Sequence, residues 1–151
     1  MSLDLNVFLS CGMAVRYSNV VALQKWLRRI LPQQNLLGTD RAEVYQDKDL
    51  LVQMQQADVL LMLVESVQDI PLKEISMAQR LRLPIIIILP EKAEETLLAA
   101  PELAGIMCLG IPFRESVVKH ALQFWPAEEA AFVKNGKHEP YCYPRLVLSK
   151  L

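Results

Sequence analysis

Two short runs, "DVLLMLV" at 58–64 and "PIIIIL" at 84–89, constrain this chain more than any other feature. Each is almost continuously apolar and rich in Val, Ile and Leu, the pattern of strands buried on both faces of a parallel sheet. Parallel neighbours cannot be joined by a tight hairpin and need a crossover of a dozen or more residues, commonly a helix. The intervening "ESVQDIPLKEISMAQRLRL" is long enough for one such helix, and Pro71 falls near its first turn, where a missing N–H is tolerated.

The rest of the chain extends this alternation. "LNVFLS" at 5–10 reads as a first strand, and "YSNVVALQKWLRRIL" places Val20, Val21, Leu27, Ile30 and Leu31 at helical spacing until Pro32 ends the helix. "AEVYQ" reads as a second strand, and "DKDLLVQMQQA" as a helix opened near Asp47 or Asp49, either of which can cap it. "GIMCLGI" supplies a fifth strand and "RESVVKHALQFW" the helix after it. The expected architecture is a flavodoxin-like or Rossmann-like three-layer α/β domain over residues 1–126, with a parallel five-stranded sheet of order 2-1-3-4-5. Residues 127–151 would add a short helix, "AEEAAFVKNG", and a tail that belongs to the same domain or to an oligomer contact.

That strand order dictates where a ligand would sit. Its topological switch falls between strands 1 and 3, so the crevice lies where "SCGMAVRYS" meets "ESVQDIPLKE". Glu74 is expected at the edge of that crevice, near the start of the crossover helix.

Charge and cysteine content narrow the partners. With 16 basic and 17 acidic residues the formal net charge is -1, which gives no electrostatic reason to expect nucleic acid or an anionic membrane. The apolar runs are far short of the roughly 18–20 residues of a membrane helix, and no charged and apolar leader opens the sequence, so a cytoplasmic address is expected. Cys11, Cys108 and Cys142 are widely spaced without a C-x-x-C pair, and only His120 and His138 accompany them. Neither a disulfide framework nor a metal site is expected, and no cofactor is called for.

Several familiar site motifs are missing. There is no G-x-G-x-x-G, no G-x-x-x-x-G-K-[ST] and no G-x-S-x-G, so dinucleotide, P-loop and hydrolase-elbow chemistry lack their residues. Cys11 and Arg16 have four residues between them, whereas phosphatase loops of similar appearance have five; Cys11 reads as a small strand-end residue. "ADVLLMLV" and "GIPF" resemble parts of a response-regulator receiver. The places of its acidic pair, phosphoacceptor and lysine hold "SCG", Leu63 or Val64, and Ile111, which excludes a phosphorylatable receiver and leaves a degenerate one.

"NVFLSCGMA", "DKDLLVQMQQADVLLMLV" and "KEISMAQRLRLPIIIIL" together resemble the nucleoside 2-deoxyribosyltransferase family, including its branch that hydrolyses deoxynucleoside monophosphates, over about residues 5–90. In that family a glycine-containing loop after strand 1 helps hold the ligand, an acidic residue opens the helix before an "-AD-" strand, and a glutamate in an "E-[IL]-x-x-A" helix is the nucleophile. The matching positions are Gly12, Asp49, Asp58, and Glu74 with Ile75 and Ala78, and "LRLPIIIIL" resembles the family's "gKPv" strand entry.

The resemblance implies a nucleoside or nucleotide as ligand, Glu74 and Asp49 as catalytic residues, and Ser10, Gly12, Met13, Gln68 and Asp69 around the ligand. It also implies subunits that complete one another's sites. The C-terminal segment with Tyr141 and Tyr143 is a candidate for that homodimer contact, and equally for a packed tail.

The chemistry has a physical basis of its own. Cleaving an N-glycosidic bond passes through an oxocarbenium-like state, which a carboxylate below the anomeric carbon can stabilise and trap covalently. A second carboxyl group can hold sugar hydroxyls or manage a proton. Where the monophosphate-hydrolysing branch carries serine and glycines, this chain has Gln68, Ile70 and Leu72, which predict a crowded cradle for a 5'-phosphate.

Each residue also has an ordinary structural reading. Glu74 suits any helix N-terminus, Asp49 suits a cap, Asp69 a turn and Asp58 a strand entry. Lys25, Arg28 and Arg29 around Trp26 read as a solvated helix face. The alternative to an enzyme is therefore a non-catalytic nucleotide-binding or protein-interaction domain of the same fold, or a degenerate receiver-like domain.

Overall fold

The computed structural model describes residues 4–12, 15, 17–38, 47–65, 70–90, 107–111, 118–126 and 141–142. Four strands, β1 (Val7–Cys11), β2 (Leu36–Gly38), β3 (Val59–Leu63) and β4 (Ile85–Pro90), pair in parallel in the order β2-β1-β3-β4. With helices on both faces this is an α/β domain compatible with a Rossmann-like fold. Beyond β4 the backbone pairing continues in parallel to β5 (Met107–Ile111) and a two-residue β6 (Tyr141–Cys142), reaching a sixth strand where five were expected.

The apolar runs that announced the sheet occupy its centre. Every residue of β3 is fully buried, and Ile86, Ile87 and Ile88 of β4 are equally inaccessible. Alternation along the strands divides the core into two layers. Val7, Leu9 and Cys11 of β1, Val59, Leu61 and Leu63 of β3, and Ile86 and Ile88 of β4 face one side. There they meet Val20, Leu23, Leu27 and Ile30 of α1 (Tyr17–Ile30) and Val118, Ala121, Leu122 and Trp125 of the helical residues 118–126. Phe8, Leu60, Met62, Ile85 and Ile87 face the other, against Leu50 and Met54 of α2 (Asp47–Gln55) and Ile75 and Ala78 of α3 (Leu72–Arg80).

The spacing of the buried α1 positions is the helical repeat expected from sequence, and the helix ends at Ile30, two residues before Pro32. Lys25, Arg28 and Arg29 are exposed on it, with Trp26 partly buried, as a solvated face requires. The second strand departs from expectation. The segment beside β1 is Leu36–Gly38, reached through a single 3-10 turn at Gln33–Asn35, whereas "AEVYQ" lies outside the described residues. Three residues ending in glycine carry too little periodicity to be read as a strand.

Both ends of α3 are built without the usual residues. Its N-cap is Pro71, which makes no side-chain cap hydrogen bond. At the other end the N–H of Leu83 donates to the carbonyl of Ala78 at 2.8 Å and that of Arg82 to Gln79 at 3.1 Å, a Schellman closure. Arg82 takes the left-handed position at φ 55°, where glycine is usual.

Candidate functional site

The topological switch lies between β1 and β3, because the chain leaves β1 toward β2 and then returns across to β3 on the other side. Their C-terminal ends are stitched together: the N–H of Gly12 donates to the carbonyl of Leu63 at 2.9 Å, and Val64 donates to Ile88 at 3.1 Å. The carbonyl of Gly12 accepts from the N–H of Val15 at 3.3 Å. Gly12 is buried. Its amide is spent on the sheet, so its contribution to a ligand would be close backbone approach rather than that N–H.

Ser10, 7% exposed, is the buried polar residue at this end of β1 and pairs in register with Met62 of β3. Alternation assigns it to the same side as Phe8, the side of α2 and α3. Glu74 is half-buried in the first turn of α3, one helical turn before Ala78 and next to Ile75, both packed into the core. The helix therefore holds Glu74 at the margin of its inward stripe, at the end that follows β3.

Of the three bulky residues expected to crowd this edge, Ile70 and Leu72 are described. Ile70 is 8% exposed and packs into the layer formed by Val64, Ile75 and Ile87. Leu72 is 58% exposed. Gln68, Asp69 and Met13 lie outside the described residues. Asp49 lies in the opening turn of α2, and nothing further of its side chain is described.

Asp58 is at the wrong end of the sheet for chemistry at this crevice. Its carboxylate Oδ2 accepts from the N–H of Asn6 at 2.8 Å, and its own N–H donates to the carbonyl of Asn6 at 2.7 Å. The Asn6 side-chain Nδ2 donates to the carbonyl of Gln56 at 2.9 Å. The strand-entry reading of Asp58 is thus the one that fits its contacts.

One carboxylate at the crevice was not singled out from sequence. Glu65, two residues past β3 and half-buried, accepts a hydrogen bond from Nδ2 of Asn19 at 3.2 Å. Asn19 is in the first turn of α1, which has no acidic residue of its own there, so Glu65 brings negative charge beside that helix end. A signal existed, since Glu65 is the first charged residue after the buried run of β3. Its partner, 46 residues earlier, is invisible without the fold.

Among the described residues no group of three or more His, Cys, Asp and Glu side chains could hold a metal ion, and no helix is long and apolar enough to cross a membrane. Cys11 is buried and closes β1. No protein-family model matches the chain, and comparison with curated proteins and with solved structures finds no match.

Proposed function

We propose that this chain is a flavodoxin-like domain that binds a nucleoside or nucleotide at the β1/β3 switch point and cleaves or transfers at its N-glycosidic bond. The observation that carries the reading is the placement of Glu74, half-buried in the first turn of the helix that follows β3. In this mechanism the Glu74 carboxylate attacks the anomeric carbon as the bond to the base breaks, the base leaving with a proton from solvent or from an acid. Water or a second base then attacks the same carbon, releases the glycosyl group and restores the carboxylate. Asp49 would orient sugar hydroxyls or carry the proton, with Ser10, Gly12, Met13, Gln68 and Asp69 around the ligand. A homodimer through the segment after residue 126 belongs to the same proposal.

A second reading rests on a different observation. Pro71 leaves α3 without a side-chain cap, and Glu74 is the acidic residue of that first turn. A carboxylate there stabilises the exposed N–H groups by roughly 0.3–1 kcal/mol, which would suit a non-catalytic domain that binds a nucleotide or a protein partner. The two readings separate on Glu74→Gln. In the enzyme, base release from nucleosides, deoxynucleosides or their monophosphates is lost while the fold persists. In the binding domain, native protein releases no base and the substitution slightly lowers the melting temperature.

A further inference from the structure

We propose that Cys108 and Cys142 are the two halves of a reversible disulfide that fastens the C-terminal segment to the sheet. The two cysteines are far apart in sequence, yet β5 and β6 pair in parallel with Cys108 and Cys142 as direct Cα partners. Adjacent strands run about 4.8 Å apart, inside the roughly 4.4–6.8 Å that separates the Cα atoms of a disulfide. The same row of the sheet continues through Ile87 of β4, the partner of Cys108, which is fully buried. Cys11 is out of reach. Its strand β1 is separated from β5 by β3 and β4, about 14 Å of sheet, and a bridge fails beyond about 7 Å. Of the pairings that the cysteines allow, the sheet therefore selects one.

Closing the bond needs an oxidant, and a small disulfide such as oxidised glutathione supplies it. One cysteine thiolate attacks that disulfide, forming a mixed disulfide and expelling one small thiol; the second cysteine then attacks the mixed disulfide and expels the other. The two cysteine sulfurs lose two electrons, the small disulfide gains them, and the two thiol protons leave with its products. Excess small thiol runs both steps backward, so the link follows the redox state of its surroundings. Placement suits it to switching. β6 is two residues long and ends the strand order, so little backbone has to adjust for the bond to close. The link also closes a loop of about 34 residues, which restricts the unfolded chain. The ordinary reading, two small apolar residues side by side in a sheet, predicts thiols that stay reduced in the same buffer.

The test equilibrates the full chain in glutathione buffers from fully reduced to fully oxidised, traps the remaining thiols with an alkylating agent, and reads them by intact mass and non-reducing peptide mapping. Native protein and Cys11→Ser should each lose two alkylatable thiols and yield one peptide pair joined through Cys108 and Cys142, and excess reduced glutathione should reverse this. Cys108→Ser and Cys142→Ser should yield no internal link. Oxidised native protein should melt about 5 °C above the reduced protein, a shift absent from both of those variants. Thiols that all remain alkylatable across the range, glutathione adducts without an internal link, a link to Cys11, or links only between chains overturn the proposal. An internal link that leaves the melting temperature unchanged contradicts the fastening. Native protein carries the decisive measurement, so a variant that fails to fold does not obscure it.

Discussion

Asn6 and Asp58 join the entries of the neighbouring strands β1 and β3 through a reciprocal pair of hydrogen bonds, 2.8 Å to the Asp58 carboxylate and 2.7 Å back to the Asn6 carbonyl. Asp58 is solvent-exposed, so the side-chain bond is worth the lower part of the usual range. Asp58→Ala should lower stability by about 1 kcal/mol, or roughly 2–4 °C in melting temperature. Asp58→Asn keeps an acceptor and should cost less. Neither should alter ligand binding at the opposite edge of the sheet, which calorimetry on the same proteins checks.

Gly38 is required by space as well as by conformation. It sits at φ 81° in register with Leu9, and a Cβ built there would meet the Leu9 carbonyl oxygen at 2.6 Å and the Phe8 ring at 3.1 Å. Its N–H donates to Oε1 of Gln53 at 3.2 Å, tying the edge strand to α2. Gly38→Ala should therefore destabilise the fold by about 2 kcal/mol or more, from left-handed strain and backbone collision together. Urea denaturation would measure it through a lower midpoint.

Arg82 offers the opposite case. Its left-handed backbone closes α3, its side chain is exposed, and Leu83 beyond it is anchored in the core. Arg82→Gly should relieve the steric cost of that conformation and raise stability by about 0.5–1 kcal/mol, part of which is returned as unfolded-state entropy. A denaturation midpoint equal to or below that of the native protein would contradict the strain assignment.

Sequence alone reveals the elements whose burial is extreme or whose boundaries carry chemistry. "VLLML" and "IIIIL" read as central strands because two buried faces leave no polar alternation, and α1 reads from its apolar stripe and Pro32. The start of α3 at Pro71, with Glu74 in its first turn, is equally readable. β2 is hidden, since a three-residue strand is defined by its neighbour β1 rather than by its own pattern. The Asn19–Glu65 bond depends on bringing the start of α1 to the end of β3, and the place of Ile70 in the core shows only in its packing.

The role proposed for Glu74 is to break an N-glycosidic bond at this crevice. It is tested most directly by following free base released from a panel of nucleosides, deoxynucleosides, their monophosphates and NAD, with and without an acceptor base, by native protein and by Glu74→Gln. Base release by native protein, reduced at least a hundredfold in a folded Glu74→Gln variant, a loss of about 3 kcal/mol or more in transition-state stabilisation, is the expected result. Release that is equal in the two proteins, or that is absent from native protein across the panel, would contradict it.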